Sequence, residues 1–258
     1  MVRVATPIYA LWVGGDVIMR KKHINLLKGG NFPVKSAGFS AQRIKAVVFD
    51  IDNTLFPSND FAELARRNAI TSMIEAGMDA DEHTAYKKLR HVIDRYGPNY
   101  PRHFNALLKE LDLPYDPKII AAGIVAYHQA KTSIFHYPDV PKTLLYLREK
   151  GYKLCVASEG RAIKQWDKLI RLGLHNIFHE VFVTPKKSEQ FYKSILMKLN
   201  LKPKEVMMVG DRLDKDIFPA KSVGIVTVLV ARDHAGKGAD YSVKNLGELI
   251  KLIVRLEK

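Results

Sequence analysis

The segment KAVVFDIDNTLFP, residues 45–57, decides how the rest of the chain is read. An apolar run, Ala46 to Phe49, stops abruptly at Asp50; Asp52 follows two residues later and Thr54 two after that. Carboxylates at the mouth of an apolar strand cost free energy unless something is bound there. Residues at i and i+2 point the same way while the chain stays extended, so Asp50 and Asp52 address one place. They are either a chemical centre or a turn, and a centre needs partners from elsewhere in the chain.

Outward from this segment, short apolar runs alternate with amphipathic stretches. Strands are expected at Ala46–Phe49, Lys153–Ala157, Glu180–Val183, Val206–Val209 and Ile225–Leu229. Helices are expected at Val140–Glu149, Arg161–Leu172, Glu189–Leu199 and Ile217–Ser222. Pro141 and Pro219 fall in first turns, and Gly151, Gly173 and Gly224 follow as stops. Strand–helix alternation predicts an α/β fold, a Rossmann-like parallel sheet with helices on both faces. Residues 58–138 break the rhythm: four helical stretches, punctuated by Gly77, Gly97-Pro98 and Pro114, contain no strand candidate. They read as an inserted all-helical cap with Pro57 and Pro138 near its hinges. The expected organisation is therefore a core of residues 43–57 and 139–258, a cap of 58–138, and an N-terminal extension of unknown role, 1–42.

In an open parallel sheet, ligands bind beyond the carboxyl ends of the strands. Those ends deliver Asp50-Ile51-Asp52-Asn53-Thr54, Ser158-Glu159-Gly160, Thr184-Pro185-Lys186-Lys187 and Gly210-Asp211 through Asp216. Clustered carboxylates repel unless a cation sits among them, and all-oxygen ligation favours a hard ion such as Mg²⁺. With a lysine and a hydroxyl, such an ion would neutralise a phosphate. One carboxylate could attack phosphorus, and a second could protonate the leaving oxygen and later deprotonate water.

These motifs resemble the haloacid dehalogenase superfamily, subfamily I with a helical type 1 cap, over about residues 43–250. DIDNT is similar to its DxDxT motif, CVASEG to its strand ending in Ser or Thr, and MMVGDRLDKD to its GDxxxxD motif. The lysine motif has two candidates, Lys186 and Lys187; KKSEQFYKSIL matches best through Lys187 and Tyr192. The resemblance implies Asp50 as nucleophile and metal ligand, and Asp52 as acid/base and, through its carbonyl, a second ligand. It further implies Ser158, Thr54 and Lys187 around the phosphate, Asp211 on the metal and Asp216 supporting the site. Glu159 departs from the asparagine often found there, and its role is left open. Because Asp52 is present, where the founding dehalogenases lack the second aspartate, phosphate-ester hydrolysis is favoured over carbon–halogen cleavage. The expected activity is a Mg²⁺-dependent phosphomonoesterase acting on a small phosphorylated metabolite through an aspartyl phosphate. A phosphomutase or phosphotransferase, and a non-catalytic binder of phosphometabolites, are the alternatives. In the cap, Tyr96, Asn99, His103, His128 and Lys131 are candidate substrate contacts, set against a plain helix-packing role for each.

The bulk composition fits this reading. The chain has 258 residues, 47% of them hydrophobic and 26% charged, which is ordinary for a globular protein. Its one cysteine, Cys155, excludes an intrachain disulfide and a cysteine zinc site and suits a cytoplasmic setting. The formal net charge is +14, yet the basic residues are scattered and no nucleic-acid motif is present, so a small anionic ligand is expected rather than nucleic acid. The apolar stretch 4–19 contains Pro7, two glycines and Asp16, and is shorter than the roughly 20 residues of a spanning helix, so no membrane segment is expected.

Overall fold

The computed structural model describes residues 44–232 and 236–256; the N-terminal extension lies outside them. Elements follow in the order β1 (Ala46–Phe49), α1 (Ser58–Glu75), α2 (Glu82–Tyr96), α3 (His103–Glu110), α4 (Pro117–Ala130), α5 (Val140–Glu149), β2 (Lys153–Glu159) and α6 (Ala162–Arg171). Then come β3 (Glu180–Thr184), α7 (Glu189–Leu199), β4 (Val206–Gly210), α8 (Phe218–Ser222), β5 (Val226–Val230), β6 (Tyr241–Val243) and α9 (Leu246–Leu256). The six strands form one sheet in the order β3-β2-β1-β4-β5-β6, every pairing parallel. The chain runs outward from β1 through β2 to β3, then crosses back to lay β4 on the other side of β1.

Strand periodicity divides the core. Val47 and Phe49, with Leu154, Val156, Met207 and Val209, face one side beneath α5, α6 and α9. Ala46 and Val48, with Cys155, Ala157, Val206 and Met208, face the other beneath α7 and α8. Both faces are covered, so the central strands β1 and β4 read as unbroken runs without a polar side chain, as in the middle of a parallel sheet. Burial pushes the Cys155 thiol up to about 12, so it packs as a small hydrophobe.

Helices α1–α4 enclose their own core, in which Ile70, Met73, Leu89, Leu107 and Ile120 meet. Gly123 of α4 lets that helix approach Met73 of α1: a Cβ there would lie 2.8 Å from the methionine sulfur. Asp81 caps α2 by accepting from the Thr84 amide at 2.9 Å. The two chain passages between insert and sheet are tied together. The Tyr137 amide donates to the Leu55 carbonyl at 2.9 Å. The Arg232 guanidinium lies 3.4 Å from the centre of the Tyr137 ring and donates to the Thr54 carbonyl.

The expected strands and helices are present, with three additions. β2 runs on through Ser158 and Glu159, because Glu159 still pairs with Thr184 of β3. A π-helical turn, Leu213–Ile217, precedes α8. β6 and α9 extend the sheet and cover it. No helix among the described residues is long and apolar enough to cross a membrane.

Candidate active site

Asp50 leaves β1 beside the end of β4, its amide bonded to the Val209 carbonyl at 2.9 Å. This is where the strand order reverses, the usual place for a ligand in an open α/β sheet. The chain then closes a tight loop, with the Leu55 amide on the Ile51 carbonyl at 2.9 Å. Asn53 takes a left-handed conformation, φ 54°, which asparagine tolerates better than most side chains. Its carbonyl oxygen accepts from the Ser58 hydroxyl and the Asn59 amide, both at 3.0 Å, while its amide group donates to Asp211 at 3.4 Å. Asn53 thereby joins the DIDNT loop to the start of the helical insert and to the end of β4. No spacing rule marked it.

Lys187 follows β3, just before Ser188, which caps α7. It is 5% exposed, and its Nζ lies 2.5 Å from an oxygen of Asp50 and 2.5 Å from an oxygen of Asp216. Lys186 points to solvent. Burial opposes the lysine's charge, but Asp50 and Asp216 outweigh it and hold the ammonium above its usual range. The second oxygen of Asp216 accepts from the Arg212 amide at 3.0 Å. Gly210 leaves the space for this carboxylate, since a Cβ there would lie 2.3 Å from it. Glu159 turns away from the loop of Asp50: it accepts from the Lys187 amide at 3.1 Å and pairs with Lys215 at 2.5 Å. It acts as a strut between β2, the lysine loop and the π-turn. Tyr192 is buried beneath them and donates to the Lys215 carbonyl at 3.1 Å.

Three buried polar atoms of the strand-end motifs have no hydrogen-bond partner: Ser158 Oγ, Thr54 Oγ1 and Asp211 Oδ1. Buried polar atoms are nearly always paired, and Ser158 and Asp211, unlike Thr54, line the cleft, so these two orphans mark a ligand site. Asp50, Asp211 and Asp216 each place an oxygen within 4.8 Å of the others. Burial pushes Asp50 up to about 7 against the pull of Lys187, with Asp216 and Asp52 adding repulsion. Burial and Asp50 push Asp211 up to about 6. Both oxygens of Asp216 are engaged, whereas Asp50 gives only one to Lys187 and Asp211 keeps one free. The donor set is all oxygen and short of positive charge, so it fits a hard divalent cation.

The site opens into a cleft of about 1140 Å³ between sheet edge and insert. Asp52 lies at its lip, and both its carboxylate oxygens accept from Lys168 of α6 at 2.7 Å. Lys168 escaped the sequence reading. Of the cap candidates, Asn99 lines the cleft, as does Tyr127, which was not a candidate. His103 and His128 do not line it. The His103 ring instead bonds the Gly97 carbonyl at 2.9 Å and packs edge-on against Tyr100. Tyr96 stacks on Tyr100 with ring centres 4.7 Å apart, and the Lys131 side chain lies outside the description.

Known proteins resemble this chain in sequence and fold. The model of the family described as haloacid dehalogenase-like hydrolase matches residues 44–224. A glyceraldehyde 3-phosphate phosphatase of Methanopyrus kandleri is 47% identical over 210 residues, 78% of this chain and 89% of that one. One from Methanocaldococcus jannaschii is 41% identical over 226 residues, 83% of this chain and 99% of that one. The crystal structure of a haloacid dehalogenase-type phosphatase from Thermococcus onnurineus superposes with a TM-score of 0.59 at 27% identity, covering 81% of this chain and 98% of its own. With the family's motifs at four strand ends of one parallel sheet and its model spanning them all, this chain belongs to the haloacid dehalogenase-like hydrolases.

Proposed function

We propose that this chain is a cytoplasmic, Mg²⁺-dependent phosphomonoesterase whose substrate is glyceraldehyde 3-phosphate. The observation that carries the chemistry is the buried Lys187 bridging Asp50 and Asp216 beside the unpartnered Asp211, Ser158 and Thr54 oxygens. The substrate is supported by the names of the relatives at 47% and 41% identity. Asp50 and Asp211 would hold Mg²⁺, with the Asp52 carbonyl, and the ion would neutralise phosphate charge. Asp50 attacks phosphorus through a carboxylate oxygen and becomes the aspartyl phosphate. Lys187 keeps its hold on the other oxygen and steadies the charge spreading over the phosphoryl group. Ser158 and Thr54 donate their free hydroxyls to that group. Asp52 protonates the leaving oxygen, then takes a proton from the water that cleaves the acyl phosphate. Residues 58–138 close over the substrate as a cap, and Asn99 with Tyr127 meets its carbon chain.

The test is phosphate release from glyceraldehyde 3-phosphate and from a panel including phosphoglycolate and flavin mononucleotide, with Mg²⁺ or with chelator. Glyceraldehyde 3-phosphate should show the highest kcat/KM, and chelator or Asp50→Asn should abolish turnover. A better panel member overturns the substrate; undiminished turnover by Asp50→Asn overturns the chemistry.

A further inference from the structure

Among the described residues, Lys168 is the one cation in the cleft that grips a carboxylate of the DIDNT loop from a helix carrying none of the four family motifs. It stands in the last turn of α6, next to Leu169, which is fully buried and fixes the helix on the sheet. Its neighbour Asp167 is taken by Arg171 at 2.9 Å, one turn on, which leaves Lys168 no competing carboxylate on its own helix. The Lys168 ammonium passes 5.7 Å from the centre of the Phe56 ring and donates to both oxygens of Asp52, each at 2.7 Å. Asp52 itself is about one-third exposed and rides on a loop whose other aspartate repels it.

A pair this exposed adds little to stability. What a two-oxygen grip fixes is direction: a short carboxylate at the lip of the cleft, otherwise free to turn to water or away from Asp50, is held to one orientation. We propose that Lys168 is a positioning residue for the proton-transfer half of the reaction, holding Asp52 where it meets the leaving oxygen. This rests on the acid/base role given above to Asp52. Asp52 enters this step protonated on the oxygen that faces the leaving group and held by Lys168 through the other. When the P–O bond breaks, its electron pair goes to the leaving oxygen, which takes that proton. The carboxylate left behind accepts from the ammonium through both oxygens, and its proton is restored from the water that cleaves the acyl phosphate. Lys168 does not touch the phosphoryl group in this reading. Its loss should therefore matter in proportion to how much the leaving group needs a proton.

Two substrates separate that effect from general damage. An alkyl phosphate such as glyceraldehyde 3-phosphate needs a proton on its leaving oxygen, whereas p-nitrophenyl phosphate expels a stabilised phenolate. Lys168→Met should lower kcat/KM, which reports the step that expels the leaving group, about tenfold or more further on the alkyl ester than on p-nitrophenyl phosphate. Lys168→Arg, which keeps a cation able to span both oxygens, should restore most of the difference. Asp52→Asn should show the same leaving-group bias, and adding Lys168→Met to it should cost nothing further, because the two act as a unit. Equal losses of kcat/KM on both substrates, or additive losses in the double variant, would each overturn the proposal. Asp52→Asn without a leaving-group bias would overturn the acid/base reading and this inference with it. A bias in Asp52→Asn that Lys168→Met does not share would overturn only the inference.

Discussion

Asp50 and Asp216 converge on one buried ammonium, Lys187, and Asp211 stands beside them, so the site carries more negative than positive charge. Buried charge without compensation is costly, and the protein relieves it by holding protons: Asp50 is pushed up to about 7 and Asp211 up to about 6. The sign follows from linkage. A carboxylate whose folded value lies above its unfolded one contributes stability that is fully present below the unfolded value. That stability is lost as pH rises through the folded one. In metal-free protein these two groups therefore weaken the fold as pH climbs from about 4 to about 7. A divalent cation takes the place of those protons, so its stabilising effect must grow over the same range. Thermal unfolding with and without Mg²⁺ should show a small Tm increment at pH 5 and a larger one at pH 8. Asp211→Asn should remove most of the increment. An increment that is the same at both pH values would contradict the assignment of Asp50 and Asp211 as its ligands. Much of this cluster was legible in the sequence, because strand ends and motif spacing single out Asp50 and Asp211 and narrow the lysine to Lys186 or Lys187 without reference to distant residues. Lys168 was not: its partner Asp52 lies 116 residues away, and on the helix it is one basic residue among several. Asn53 was hidden for a related reason, since its use depends on a left-handed backbone that no pattern announces.

At the scale of elements, the end of β4 shows how the loops are held. Gly210 closes the strand, and the π-turn that follows folds Asp216 back against it, so a Cβ at Gly210 would meet the Asp216 carboxylate at 2.3 Å and its Cβ at 2.6 Å. Asp216 has no room to yield, being 1% exposed and bonded to Lys187 and the Arg212 amide. Overpacking of this kind costs about 1–3 kcal/mol. Gly123, between α4 and α1, makes the useful contrast: its added Cβ would meet the flexible end of Met73 at 2.8 Å, and alanine favours the helix by about 0.5–1 kcal/mol. Gly210→Ala should lower stability by about 2 kcal/mol in urea unfolding and cut kcat sharply, whereas Gly123→Ala should stay near wild type in both. Equal behaviour of the two would mean that Asp216 is not locked in place. Five strands and the helices between β1 and β2 were legible because each carries its pattern over four or more residues. β6, at three residues, is too short to show a two-residue alternation. Its covering helix α9 carries helical spacing in Leu246, Leu249, Leu252 and Ile253, but without β6 there was no sheet edge to assign it to.

Across the whole molecule, the charge has a direction as well as a sum. The formal net charge is +14, and the cleft is rimmed by Arg66 and Arg90 from the insert and by Arg161 and Lys164 at the start of α6. None of these four forms an ion pair with a described residue, in contrast to Lys168, Lys187 and Lys215, which also line the cleft and each hold a carboxylate. Unpaired cations on both walls of an opening focus a positive potential on it, and a phosphate dianion arriving there is drawn in before it meets Asp50. That attraction acts at long range and is screened once the Debye length falls from about 30 Å at 0.01 M salt to about 10 Å at 0.1 M. The kcat/KM for a phosphate ester should thus fall several-fold over this range while kcat holds, since steering acts on the encounter and not on the bound complex. Replacing Arg161 and Lys164 together by glutamate should lower kcat/KM at low salt and flatten its salt dependence, again with kcat preserved. Steady-state kinetics at several ionic strengths, corrected for Mg²⁺ occupancy by holding the ion saturating, decides the matter. If the double variant keeps the wild-type salt slope, the rim does not steer, and the basic charge of the chain serves some other surface.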